Sequence, residues 1–296
     1  MFYRRKIILS LIELFEGYLD KLRLQKLLFL FSKRKSGKPE YDFIPYKYGC
    51  YSYSANADLG AMIKRGFLTI KDDKTYFKND DVNYLDTLKK TDVIILKEVV
   101  NTYGKMSTNA LIKHTYINFP FYAIKSDIAK KLLNDTFYQK VVNAIPKENE
   151  TTLFTIGYQG VSLEKYLKKL VENNVKLLVD VRKNPLSMKY GFSKTLLKKF
   201  CNSLGIEYIH IPNVGIISDK RRELKTQKDY DVLFDDYKTT TLKANIESQN
   251  EILELLKHHK RIALTCFEAN ICQCHRLHLA NSLEEFKEFE FITKHI

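Results

Sequence analysis

The chain has 296 residues, 45% hydrophobic and 28% charged, with a formal net charge of +14. That balance excludes a disordered or fibrous chain and gives material for two cores, since a domain usually takes roughly 100–200 residues. No apolar run approaches the ~20 residues a bilayer needs. Five cysteines, three of them close together, do not form a secreted disulfide framework, so a reducing cytoplasm is expected.

Both halves are basic: residues 1–150 carry a net +9 and residues 151–296 a net +5. A basic surface attracts polyanions, so nucleic acid, DNA or RNA, is the expected partner. The competing reading is a lysine-rich chain whose charge only solvates it. The opening "MFYRRKIILSLIELFEGYL" is basic and then apolar. Glu13 and Glu16 interrupt what would be a signal core, and no small-residue cleavage site follows.

In chain order, "RRKIILSLIELFEG" and "DKLRLQKLLFLFSKRKSG" have helical period and end at Gly17 and Gly37. "YDFIPYKYGCYS" is extended, broken by Pro45 and Gly49. "SANADLGAMIKRGFL" is predicted as a helix capped by Ser54 and ended at Gly66. "FLTIKDDKTYFK" is a hairpin turning at Asp72 and Asp73. Three helices followed by a hairpin predict a mainly helical, winged-helix-like domain over residues 1–146. Two more helices, "TDVIILKEVVNTYG" and "STNALIKHTYINFPFYA", complete it. "PKENE", residues 146–150, is the predicted linker.

The second half alternates. "TLFTIGY", "KLLVDVR", "EYIHIP" and "RIALTC" read as strands. "SLEKYLKKLVENN", "SKTLLKKFCNSLG", the stretch through "NEILELLKHH" and "CHRLHLANSLEEF" read as helices, the first capped by Ser162 and the second starting at Ser193. Strand–helix alternation predicts a three-layer αβα domain over residues 151–296 with a mostly parallel sheet. Ligands of such sheets bind beyond the carboxyl ends of the strands. Gly157 and Tyr158, Asp180 and Arg182, Asn213, and Cys266 and Glu268 all fall at those ends.

"LTCFEANICQCHR" adds Cys272, Cys274, His275 and Arg276 to the same edge. Three chemistries fit these residues. Cys266, Cys272, Cys274 and His275 offer soft and borderline ligands for zinc or iron, although Cys-x-Cys is tighter than the usual knuckle spacing. Arg182 and Arg276 can offer forks to a phosphate or carboxylate near a helix N-terminus; alternatively Arg182 pairs with Asp180 or Glu268 as a structural network. Cys266 can be a nucleophile with a lowered pKa, or a small buried hydrophobe closing a strand. No Cys-x₅-Arg phosphatase loop exists, because the sixth residue after Cys266 is Cys272. Asp180 and Glu268 can pair for acid–base work. "NPLSMKYGFS", ending at Ser193, can lid the site or stack a base. Lys220, Arg221 and Arg222 follow Asn213 and suggest a substrate-ordered loop. Cys50 and Cys201 read as packing, and His210 as sheet.

"TIGYQGVSLEKYLKKL", "LLVDVRKNPLSMKYGFS", "LGIEYIHIPNVG" and "IALTCFEANICQCHRLHLA" resemble the successive blocks of the domain of unknown function 488 family, over about residues 151–285. The resemblance implies a compact three-layer α/β domain. It carries Gly157, Asp180, Arg182, Pro185, Ser193, Cys266, Glu268, Cys274, His275 and Arg276 onto the family's signature positions, and it implies no reaction. "LRLQKLLFLFSKRKSGKPEYDFIPYKYGCYS" is similar to the opening of the Panacea antitoxin-like domain, with Cys50 where that family usually has proline. That resemblance implies a winged-helix-like module in a toxin–antitoxin or phage-defence setting.

Two functions are therefore expected to compete. One is a nucleic-acid- or nucleotide-directed enzyme, a hydrolase or transferase at a phosphate or glycosidic bond. Cys266, Glu268, Asp180, Arg182 and Arg276 would carry its chemistry, and Gly157, Tyr158, Ser193, Asn213 and His275 would bind its substrate. The other is a DNA-binding regulator sensing metal, redox state or a small anion.

Overall fold

A computed structural model describes residues 1–217 and 224–296. Backbone contacts cluster into two units, Met1–Ile145 and Pro146–Ile296. Among the described residues no helix is long and apolar enough to cross a membrane.

The first unit runs α1 (Tyr3–Glu13), β1 (Tyr18–Asp20), α2 (Lys21–Arg34), β2 (Ile44–Tyr46), β3 (Gly49–Tyr51), α3 (Tyr53–Lys64), β4 (Leu68–Lys71), β5 (Thr75–Lys78), α4 (Lys90–Tyr103), α5 (Thr108–Asn118), α6 (Ala129–Leu132) and α7 (Asp135–Asn143). Strand β1, three residues long and too short to show a period, was not legible in the sequence. It pairs antiparallel with β5, and β5 pairs with β4, giving the sheet order β1-β5-β4. Asp72 and Asp73 both adopt φ of 51°, the left-handed pair that a tight hairpin turn needs. Helix α3 is capped by Ser52 rather than Ser54. Strand β3 ends at Tyr51, and the Ser52 hydroxyl accepts from the Ala55 N–H at 3.2 Å.

The apolar helix α2 carries two buried polar side chains, Gln25 and Lys26. Their partners explain them. Gln25 accepts from the Ser52 N–H at 3.0 Å and donates to the Ser52 carbonyl, while Lys26 donates to the Cys50 carbonyl at 2.9 Å. The helix thereby clamps the β2–β3 hairpin backbone. Gln25→Leu should cost about 2 kcal/mol, because it strands a buried backbone N–H. A denaturant titration that shows less than about 0.5 kcal/mol would mean that water replaces the amide.

The second unit runs β6 (Thr152–Gly157), α8 (Leu163–Glu172), β7 (Leu177–Asp180), α9 (Lys194–Ser203), β8 (Glu207–His210), α10 (Gln227–Asp236), α11 (Ile246–His259), β9 (Arg261–Cys266), α12 (His275–Glu284) and β10 (Ile292–His295), with a π-helical stretch, Tyr237–Leu242, after α10. All five strands are parallel, in the order β10-β6-β9-β7-β8. Strand β10 was missed by the sequence reading because its residues, "ITKH", lie on an exposed edge and carry no apolar alternation. Strands β6, β7 and β9 are buried end to end or nearly so, which is why they read as continuous apolar runs. One sheet face, through Leu153, Leu177, Val179, Ile262 and Leu264, packs in a single core with α10, α11 and α12. On the other face the Tyr166 hydroxyl of α8 donates to the Thr265 hydroxyl at 2.7 Å.

This order sets the position of the site. Strand β9 lies between β6 and β7, so Cys266 pairs with Gly157 and Thr265 with Asp180. The three richest sequence segments thus end side by side at the middle of the sheet.

Candidate active site

A cleft of about 430 Å³ opens at this carboxyl edge. Tyr158, Arg182, Cys266, Glu268 and His275 form its wall and floor, and Leu186, Ser187 and Met188 of the loop after β7 flank it. Leu186 and Met188 are exposed. Lys183, also exposed, stands on the rim.

The floor is a cluster of sulfur, nitrogen and oxygen atoms. Cys266 sits at the end of the central strand. Its thiol donates to Glu268 Oε2 at 3.0 Å, and the Cys274 thiol donates to the same oxygen at 3.1 Å. His275 Nδ1 lies 3.5 Å from Cys266 Sγ and 3.9 Å from Cys274 Sγ. Its other nitrogen, Nε2, is 3.1 Å from the Val181 carbonyl. A carbonyl only accepts, so Nε2 carries a hydrogen, and of the two neutral tautomers this bond selects the one whose Nδ1 lone pair faces the sulfurs. Burial, together with the adjacent Cys266, holds the Cys274 thiol well above its ordinary range. Cys274 is also the N-cap of α12, which aims that helix's N-terminus at the cluster.

Cys272, part of the sequence-based ligand set, is exposed and stands outside this group. The short 3₁₀ turn Ile271–Gln273, with the Asn270 side chain accepting from the Cys272 N–H, directs it outward. Among the described residues the donors that could hold a metal are Cys266, Cys274 and His275, with Glu268 against both thiols.

The two arginines do not present open forks to an anion. Arg182 is buried and spends its donors inside the protein: Nε to Asp180 Oδ1 at 2.8 Å, Nη2 to Asp180 Oδ2 at 2.5 Å, and Nη1 to the Tyr158 hydroxyl and the Phe192 carbonyl, both at 2.8 Å. Asp180, fully buried, also accepts from the Tyr208 hydroxyl at 2.5 Å. This is the structural ion-pair network weighed above, and it takes Asp180 out of acid–base work. Against burial, that carboxylate keeps the Arg182 guanidinium firmly charged, while burial first and the same carboxylate second push the Tyr208 phenol up. Arg276 is likewise buried. Its Nη1 donates to the Glu268 carbonyl at 2.6 Å, and it fixes the loop that delivers Glu268.

Of the remaining sequence candidates, Tyr158 and Ser193 shape the cleft. Tyr158 stacks on Phe192 at 4.2 Å and meets Phe267 edge-on. Ser193 does not cap α9 with its side chain; its hydroxyl donates to the Ser187 carbonyl at 2.9 Å and holds the cleft loop. Asn213 lines a neighbouring cleft of about 340 Å³ with Tyr237 and Asn245, not this one. Lys220, Arg221 and Arg222 lie outside the described residues. Sequence reasoning missed the backbone carbonyl of Val181, which orients His275 and carries no side-chain signal. It also missed Tyr208, whose hydroxyl on a strand is legible only once β8 is placed beside β7.

The Arg182–Asp180 pair and the Arg276-held loop thus meet a Cys–Glu–Cys–His floor at one sheet edge. Residues 162–283 match the family described as Domain of unknown function DUF488. The DUF488 match contains Asp180, Arg182, Cys266, Glu268, Cys274, His275 and Arg276, and begins after Gly157 and Tyr158. A comparison with curated proteins gives no match.

Proposed function

We propose that the DUF488 unit is a hydrolytic enzyme acting on a phosphate or glycosidic bond of nucleic acid or a nucleotide. One observation carries the reading: an open cleft whose floor brings a carboxylate, two thiols and an oriented imidazole within hydrogen-bonding reach of one another. Glu268 acts as general base, and Cys266, Cys274 and His275 form the centre at which the attacking group is prepared. Asp180, Arg182 and Arg276 position the walls. Tyr158, Phe192 and Phe267 give aromatic surface beside the reacting atoms, and exposed Lys183 gives a cation for phosphate.

In the N-terminal unit, the order helix, strand, helix, β2–β3 hairpin, helix, strand, strand with a β1-β5-β4 sheet supports a winged helix with a hairpin inserted between its second and third helices and Asp72 and Asp73 at the tip of the wing. The net +9 of residues 1–150 supports nucleic acid as what it binds.

The test is turnover of short DNA and RNA oligonucleotides and free nucleotides, followed by mass spectrometry. Glu268→Gln should fold as wild type and lose about 10²–10⁴-fold in rate, the usual contribution of a general base. A released base names a glycosidic bond and a released phosphate names a phosphoester. Retained turnover in Glu268→Gln would remove the carboxylate from the mechanism.

A second reading rests on the two buried thiols that share one carboxylate oxygen. Such a pair can report redox state in a DNA-binding regulator, as in a toxin–antitoxin or phage-defence setting. It predicts no turnover and an oxidant-dependent change in DNA affinity.

A further inference from the structure

We propose that Cys266 Sγ, Cys274 Sγ and His275 Nδ1 bind a zinc ion, with a fourth position turned to the cleft for a water molecule and Glu268 beside it to take that water's proton. The ion itself follows from the donor geometry; the role of the water rests on the hydrolase reading.

The distances decide the argument. Zinc binds thiolate sulfur at about 2.3 Å and imidazole nitrogen at about 2.0–2.1 Å. At a tetrahedral angle these bonds place sulfur and nitrogen about 3.6 Å apart. The two observed separations are 3.5 and 3.9 Å, and all three donor atoms lie within 4.8 Å of one another. Two zinc-bound thiolates stand about 3.8 Å apart, so a three-ligand site asks the floor to close by about 1 Å at most. All three donors sit in buried residues, which keeps competing water from them.

The imidazole is already set for the task. The bond from Nε2 to the Val181 carbonyl fixes the tautomer that leaves Nδ1 as a ligand, the outer support that metal-binding histidines usually have. The sulfurs come from two different elements, the end of β9 and the N-cap of α12, so the ion would join the central strand to the final helix.

The charges also close. Binding displaces one proton from each thiol, and Zn²⁺ with two thiolates and a neutral imidazole has no net charge. Glu268 then remains negative, and the Arg276 guanidinium, bonded to the Glu268 carbonyl, supplies a positive charge to the same segment. Among the described residues Arg276 forms no ion pair, and its buried Nε has no hydrogen-bond partner. Two soft ligands with one borderline ligand favour zinc over magnesium or calcium.

The open side of the site is also defined. Cys266, Glu268 and His275 line the cleft, whereas Cys274 closes the site from behind. Three protein ligands and a solvent-facing fourth position are the arrangement of catalytic rather than structural zinc. Zinc lowers the pKa of such a water to about 7, so a carboxylate can deprotonate it at neutral pH.

The experiment reads metal and activity separately. Metal-free full-length chain is titrated with Co²⁺, followed through its thiolate charge-transfer and visible bands, and zinc content is measured after purification. One tetrahedral cobalt with two thiolate ligands per chain is expected. Cys266→Ser and Cys274→Ser should each weaken binding by more than the roughly 10–100-fold that changing a supporting group costs. Cys272→Ser should bind as wild type, and Glu268→Gln should keep the metal and lose turnover.

Loss of binding in Cys272→Ser equal to that in Cys266→Ser would overturn the ligand assignment. So would a wild-type chain that shows no thiolate–cobalt band, a result that stands even if the serine variants fail to fold. Turnover undiminished in metal-free protein would overturn the zinc-bound water and leave the hydrolase reading intact. Metal bound at the named ligands without turnover would support the site and refute the hydrolase reading.

Discussion

Asp180→Ala should cost about 3–5 kcal/mol of stability, the cost of leaving a buried charge without its partner. Arg182 loses its bonds from Nε and Nη2 to that carboxylate, and the Tyr208 hydroxyl loses its acceptor. None of these groups has ready access to water, because Asp180, Arg182 and Tyr208 are all buried. Urea titration by circular dichroism measures the loss. A change below about 1 kcal/mol, the worth of an exposed pair, would show that solvent reaches the network. Replacing both partners, as in Asp180→Leu with Arg182→Met, should cost much less than Asp180→Ala, since no buried charge remains. The double variant also separates roles. It should retain a folded sheet, while turnover falls because Tyr158 and the Phe192 segment lose the guanidinium that holds them.

Gly157→Ala should be the most damaging single methyl in the site. Its Cβ would stand 1.9 Å from the Glu268 carbonyl oxygen and 3.1 Å from Arg276 Nη1. The obstacle is backbone, anchored by Phe267, whose carbonyl accepts from the N–H groups of Tyr158 and Gln159 at 3.1 and 2.8 Å. The segment must move away as a unit, at about 3 kcal/mol or more for this degree of overpacking. It would carry Glu268 off the thiols, so the variant should lose turnover even where it folds. Stability within about 0.5 kcal/mol of wild type would mean that the 267–269 segment tolerates displacement, and that Glu268 is not held by close packing.

The strongest sequence signal was the clustering of polar residues at strand ends. Strands β6, β7 and β9 were legible because buried parallel strands are apolar throughout, and α8 and α9 because an amphipathic helix repeats at 3.6 residues. Strand β10 was not, because an exposed edge strand lacks that pattern. The Ser54 cap was misplaced by two residues, because either serine suits an N-cap and only the end of β3 chooses between them. Among site residues, "CFEANICQCH" named the donors but not which of its three cysteines would turn inward.

The sequence by itself determined the alternating α/β plan, the helical N-terminal half, the basic charge and the residues gathered at one edge. Those properties follow from local period, composition and chain order. Tertiary structure alone decided their roles. Placing β9 between β6 and β7 set Cys266 beside Gly157, and the fold left Arg182 paired with Asp180 rather than with Glu268. It aimed His275 by way of a carbonyl on another strand end and left Cys272 in solvent. Hydrogen bonding and desolvation act over a few ångströms between segments far apart in the chain, 94 residues for Val181 and His275, a proximity that no local pattern encodes.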